Sequence, residues 1–349
     1  MMLNGKTDVG KRRRNNQDSF VIEHFDGAGT SLALVCDGMG GANGGNIASS
    51  VACEEFVGIV KTFLEQNGDR PVTEGDYSSM LAHAVASANN KVFRRAESDT
   101  SLKGMGTTLV CALVAERSDT LYAVNVGDSR LYLFANGHLR QITHDHSLVQ
   151  YLQDSGRLTA EEAKTYPNRN VITRAIGIER TVDADIFSVD RISETPGVLL
   201  LLCSDGLCGY VDAEVIEKIL KDALAAPAYD GDAAVEALVN AANDAGGADN
   251  ITAILINPSA KEKETEKGSE PETEASGTET DLADPADPAD PMDPMDPMDP
   301  EDSREAAEAD PEAENADEEK PEDGASAENE ADVSGSGSED TGAAVPGDR

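Results

Sequence analysis

The sequence predicts an α+β fold, a four-layer α-β-β-α sandwich of two mostly antiparallel sheets flanked by helix pairs. Three observations carry that reading. Candidate helices come in pairs and candidate strands in runs, so strand and helix do not alternate as they do in a parallel fold. The run 198–203 is almost wholly aliphatic, the pattern of a strand buried on both faces. The composition changes abruptly near residue 258, so the sandwich must be built from what precedes it.

A short strand over 6–10 enters the basic turn Lys11-Arg12-Arg13-Arg14-Asn15-Asn16-Gln17-Asp18, and a second strand returns over 19–23. The strand at 31–36 buries Leu32, Leu34 and Cys36 and is expected to break at Gly38, holding Asp37 at its end. Glycines 40, 41, 44 and 45 lead into a helix over 46–65, with Ala48, Val51, Ala52, Glu55 and Phe56 at helical spacing. The N-terminus of that helix faces the Asp37 end of the strand. A second helix over 77–96 places Met80, Leu81, Ala84, Val85, Ala88 and Val92 on one face, with Asp76 as its N-cap. Strands at 106–116, 120–126 and 129–135 form an antiparallel meander joined by turn residues at 117–119 and 136–137. Two short helices follow at 147–154 and 159–164, the second opened by a Thr159/Glu162 capping box. Together with the unpatterned 166–170 they make an irregular flap over about 147–175. Strands 183–189 and 198–203, helices 212–225 and 232–245, and a strand at 251–256 complete the count.

The chain divides into a folded domain, 1–257, and an acidic, Pro-rich tail, 258–349, expected to be disordered. From residue 261 on there are 32 acidic and 6 basic residues, so −26 of the −39 net charge lies there and −13 on the first 260. The tail has no Phe, Tyr or Trp, and the Asp-Pro-Ala and Asp-Pro-Met triplets of 284–300 exclude helix. We read it as a solubilising appendage. The first residues are too polar for a signal peptide and no stretch approaches the roughly 20 apolar residues of a spanning helix, so a cytoplasmic monomer with no membrane partner is expected. The five cysteines stand singly among apolar residues, as reduced, buried thiols do. An acidic body argues against nucleic acid as a partner.

Four aspartates share one local grammar, a strand border next to Gly or Asn: Asp37, Asp128, Asp205 and Asp249. Any one of them alone reads as a turn residue capping its own backbone. As a set they would be costly to bury unpaired, and a divalent metal cluster satisfies them together. Mg²⁺ or Mn²⁺ takes carboxylate, carbonyl and water oxygens, and one carboxylate can bridge two ions roughly 3.5 to 4 Å apart, activating a water between them. Gly38 suits a backbone carbonyl ligand, because nothing on its Cα blocks an ion. Among Lys11 to Arg14, most are read as a solvated basic turn. The histidines read as surface or loop-bonding residues, including His144 and His146 beside Asp145.

These residues fall into a familiar order. Arg13-Arg14-Asn15-Asn16-Gln17-Asp18-Ser19, Cys36-Asp37-Gly38-Met39-Gly40-Gly41, Met105-Gly106-Thr107-Thr108, Val126-Gly127-Asp128-Ser129-Arg130, Asp145-His146-Ser147, Cys203-Ser204-Asp205-Gly206 and Ala248-Asp249-Asn250-Ile251-Thr252 resemble the motif set of the metal-dependent protein phosphatases (PPM family, type 2C), in particular the bacterial serine/threonine phosphatases. The resemblance spans about 5–256. It implies hydrolysis of phosphoserine and phosphothreonine on proteins, with phosphoproteins and serine/threonine kinases as partners. By motif position, Asp37 bridges two Mn²⁺ or Mg²⁺ ions, Gly38 gives a carbonyl to one, and Asp205 and Asp249 complete the shell of the other. Asp18 acts through metal-bound water, and Asp128 with Asp205 holds a third, weaker ion. Arg13 grips the substrate phosphate, a role that suits a planar bidentate donor because a phosphate monoester carries spread negative charge.

Two departures from the pattern stand out. Animal relatives often carry a His as candidate general acid where this chain has Met39, a trait common in bacterial relatives, and Gln17 stands where a Glu is usual. Two rival readings are a catalytically silent, phosphoprotein-binding pseudophosphatase, which should lack a core ligand, and a cation buffer led by the tail.

Overall fold

The computed structural model describes residues 1–260 other than 42, 43 and 69. From residue 261 on, the segment expected to be disordered lies outside the described residues. Two sheets are formed and their strand pairings are all antiparallel. In the first sheet β1 (Met2–Asp8), β11 (Ile251–Asn257), β10 (Leu199–Cys203), β7 (Arg130–Ala135) and β8 (His138–Gln141) lie side by side in that order. The second runs β2 (Asp18–Phe25), β3 (Thr30–Met39), β5 (Leu109–Ala115), β6 (Thr120–Val126) and β9 (Asp185–Asp190), with the two-residue β4 (Gly106–Thr107) paired to the end of β3.

Side-chain alternation assigns the layers. On β3, Leu32, Leu34 and Cys36 pack against helices α1 (Gly44–Asn67) and α2 (Glu74–Ser98), whereas Ala33 and Val35 face the other sheet. On β10, Leu199, Leu201 and Cys203 meet helices α6 (Ala213–Ala225) and α7 (Gly231–Asp244), whereas Leu200 and Leu202 face inward against Val110, Ala112 and Ile254. Three apolar layers therefore hold four structural ones, which is why these strands read as unbroken apolar runs. The predicted four-layer sandwich is the fold. The flap contains the short helices α3 (Leu148–Asp154) and α4 (Ala160–Lys164), and the Thr159/Glu162 capping box is present in both directions. Among the described residues no helix is long and apolar enough to cross a membrane. All five cysteines are free thiols, four buried and Cys208 half-buried.

The structure corrects several local expectations. β3 does not break at Gly38 but runs on to Met39, because β4 supplies a partner for Gly38 and Met39. The strand expected over 106–116 is divided at Thr108, whose hydroxyl is taken by the Asp37 backbone. α2 starts earlier than expected: Thr73 is its N-cap and Asp76 is the N3 residue of a capping box. Three elements were not foreseen: β8, the 3-10 turn Thr100–Leu102 and the single turn α5 (Asp205–Cys208).

Candidate metal centre

The site forms where the two sheets meet at one end. The β2–β3 register sets Asp18 opposite Asp37, and cross-strand partners share a face of the sheet. Asp18 is buried, and its Oδ2 accepts from the Ser204 hydroxyl at 2.8 Å and the Thr252 hydroxyl at 2.6 Å. A carboxylate of one sheet is thus held by hydroxyls of the other. Asp205 opens α5 directly after β10, Asp249 immediately precedes β11, and Asp128 lies in the turn between β6 and β7. Asp37, Asp128, Asp205 and Asp249 line one cavity of about 250 Å³ together with Gly38 and Arg13. All the residues singled out from the sequence therefore converge, with Asp18 behind the cavity rather than on its wall.

The backbone at Asp37 is fixed by groups the sequence reading left without a role. The Asp37 amide donates to Thr108 Oγ1 at 2.9 Å, while the Thr108 amide and the Thr107 hydroxyl donate to the Asp37 carbonyl at 2.9 and 2.8 Å. The Thr108 and Ser129 hydroxyls stand 2.7 Å apart, which ties Asp37 to the turn carrying Asp128. A Cβ at Gly38 would collide with the Gly45 carbonyl oxygen and lie 2.6 Å from that of Gln17, so only glycine permits these backbone segments to pack so closely. Gln17 lines the same cavity, and its side-chain amide donates to the Gly40 and Gly41 carbonyls at 3.3 and 3.4 Å, anchoring the glycine-rich loop.

Arg13 Nη2 donates to Asp249 Oδ2 at 2.7 Å, with the Arg13 side chain about half exposed. The turn that carries it is pinned by Asn250, whose side chain donates to the Val9 and Asn15 carbonyls at 3.0 Å and accepts from the Gln17 amide at 2.8 Å. Beside Asp128, Arg130 chelates Asp145, with contacts of 3.0, 3.0 and 2.6 Å. His146 has the loop-bonding role expected of it: Nδ1 accepts from the Gly127 amide at 3.1 Å, which leaves the proton on Nε2, 3.2 Å from Asp185. Two flap residues line the cavity as well, Asn170 and Ile172. Nothing in the unpatterned flap sequence marked them.

The electrostatics are those of a site short of positive charge. Burial, and then the neighbouring carboxylates of Asp18, Asp205, Asp128 and Asp249, push the Asp37 carboxyl well above its ordinary range. Burial raises Asp205 to about 6, with Asp249 adding to it, and raises Asp128 to about 7 with help from Asp205 and Asp145. Asp18 reaches about 6 through burial despite the hydrogen bonds from Thr252 and Ser204. Buried oxygens Asp18 Oδ1 and Asp205 Oδ1 have no hydrogen-bond partner. Such groups call for a cation. Among the described residues no three His, Cys, Asp or Glu side chains are grouped closely enough to hold one ion by themselves. Carboxylates spaced around an open cavity instead suit hard cations that keep several water ligands, so the donor set fits Mg²⁺ or Mn²⁺.

Similarity to known proteins agrees with this geometry. A family profile described as "Protein phosphatase 2C" matches residues 10–256. The serine/threonine phosphatase stp of Listeria monocytogenes is 36% identical over 253 residues, covering 72% of this chain and 93% of its own. The protein phosphatase PhpP of Streptococcus pneumoniae is 37% identical over 259 residues, covering 74% and 98%. The crystal structure of the catalytic domain of the serine threonine protein phosphatase PstP, in complex with two manganese ions, superposes with a TM-score of 0.58 at 32% identity, covering 73% of this chain and 96% of that one. Fold and relatives together define a protein phosphatase. The chain belongs to the protein phosphatase 2C family.

Proposed function

We propose that this chain removes phosphate from phosphoserine and phosphothreonine on proteins at a dinuclear Mn²⁺ or Mg²⁺ centre, opposing serine/threonine kinases, as a cytoplasmic monomer. The observation that carries the proposal is the shared cavity: four aspartates, Gly38 and one arginine converge on it. In this reading Asp37 would hold both ions, the Gly38 carbonyl would join it on one, and Asp205 and Asp249 would complete the shell of the other. Asp18 would act through water on the ions, and Asp128 with Asp205 would hold a third, weaker ion. Bound there, the ions would supply the positive charge and the activated water that attack on phosphorus requires. Arg13 exchanges its contact with Asp249 Oδ2 for the phosphate oxygens, to which a planar guanidinium can donate in pairs. Met39 contributes no proton, so the departing serine or threonine oxygen takes one from water or from the substrate. A silent phosphoprotein binder would lack one of these side chains, and each is present.

We assign this activity to the domain 1–257, with 258–349 dispensable for chemistry. Hydrolysis of p-nitrophenyl phosphate and of a phosphothreonine peptide tests both statements. Mn²⁺-dependent turnover, abolished by chelation and by Asp37→Asn but kept after removal of 261–349, is the expected result. Turnover equal in Asp37→Asn and wild type would overturn the assignment.

A further inference from the structure

A second cavity, of about 470 Å³, adjoins the carboxylate cavity and shares Met39, Asn170 and Ile172 with it. Its apolar part is set by a close approach at Gly106, where a Cβ would lie 2.8 Å from Met39 Cε and 2.9 Å from Ile178 Cδ1. Ile178 is 43% exposed, and Val182 extends the same apolar strip. The wall bearing Ile178 is fixed. Asn89 of α2, buried, donates to the Glu179 and Arg180 carbonyls at 3.0 and 3.2 Å and accepts from the Gly177 amide at 2.8 Å. An apolar side chain kept exposed on an anchored wall is a surface kept for a partner rather than a loosely packed loop.

The charges on this groove have one sign to spare. Glu179 and Asp183 line it, and neither is in an ion pair among the described residues. The cation that lines it, Arg174, is already held by Asp185 at 3.1 Å. A phosphorylated side chain reaching Arg13 would leave its own backbone over Met39 and feed the neighbouring residues into the groove.

We infer that the groove binds the substrate chain beside its phosphorylated residue and selects an apolar side chain, over Ile178 and Val182, together with a Lys or Arg facing Glu179 and Asp183. This rests on the phosphatase reading above and adds the class of phosphoprotein sequence that reading leaves open. The complementarity is of the kind that sets specificity at an interface rim, acting through two ion pairs and one apolar contact.

The test uses the Mn²⁺-loaded full chain, p-nitrophenyl phosphate, and phosphothreonine peptides that carry Leu with either Lys/Arg or Glu on the flanks. Wild type should favour the basic peptides by about fivefold or more in kcat/KM, chiefly through KM. The double variant Glu179→Lys/Asp183→Lys should reverse the order, and Ile178→Ser should weaken all the peptides, while both keep wild-type rates on p-nitrophenyl phosphate. Normal p-nitrophenyl phosphate turnover with no preference for basic peptides, or with a preference the double variant leaves unchanged, overturns the inference alone. No Mn²⁺-dependent turnover by wild type overturns the phosphatase reading and the inference with it.

Discussion

Replacing Asp205 with Asn separates what the carboxylate cluster does for function from what it costs the fold. Asp205 is pushed from its ordinary 3.8 to about 6, by burial first and by Asp249 second. One pKa unit is about 1.4 kcal/mol, so keeping Asp205 ionised in the metal-free fold at neutral pH costs up to about 3 kcal/mol. Its folded value lies above its unfolded one. The folded state therefore binds the proton more tightly, and the penalty is absent below about pH 4, grows through about pH 6 and is complete above about pH 7. Asp205→Asn keeps the shape and removes the charge. In a chelator at about pH 7.5 the variant should melt about 5–10 °C above wild type, at roughly 2–4 °C per kcal/mol for a domain of this size. At about pH 4.5, still above the unfolded value, the gap should shrink to about a third. Saturating Mn²⁺ should reverse the order, because wild type gains binding energy at the site and the variant loses a ligand. Thermal denaturation with and without Mn²⁺ at the two pH values reads all of this. A variant that melts at or below wild type in chelator at the higher pH would refute the reasoning, as would a gain that persists unchanged at the lower one.

Other perturbations act on named contacts. Thr108→Val removes the hydroxyl that accepts from the Asp37 amide and meets Ser129, so about 1–3 kcal/mol should be lost in urea unfolding, together with Mn²⁺-dependent activity. Arg13→Ala frees Asp249 and leaves the phosphate without a guanidinium; kcat/KM for a phosphothreonine peptide should fall about 10- to 100-fold while the melting temperature in chelator drops only slightly.

The layers of the sandwich were legible because their cause is local in sequence. A strand between two apolar layers must be apolar at every position, and paired amphipathic helices must cover an open face. What was not legible depends on distant partners. β3 continues past Asp37 only because β4 pairs with Gly38 and Met39, and the interruption at Thr108 exists to serve the Asp37 backbone. The shift of the α2 cap from Asp76 to Thr73 reflects a reciprocal capping box in which either residue type could lead. α5, a single turn, is too short to show a period. In the site, the strand–Asp–Gly grammar identified the carboxylates, but Asp18 owes its position to Ser204 and Thr252, 186 and 234 residues away. Asn170 and Ile172 reach the cavity from the part of the flap beyond its two helices, where the sequence shows no period.

The central claim is that these carboxylates form one dinuclear metal centre. Anomalous diffraction at the manganese edge, from crystals of the protein grown with Mn²⁺, tests it most directly. Two peaks roughly 3.5 to 4 Å apart are expected, with Asp37 between them, the Gly38 carbonyl on one, and Asp205 and Asp249 on the other. Peaks confined to sites away from this cavity, or none within it at saturating Mn²⁺, would contradict the account.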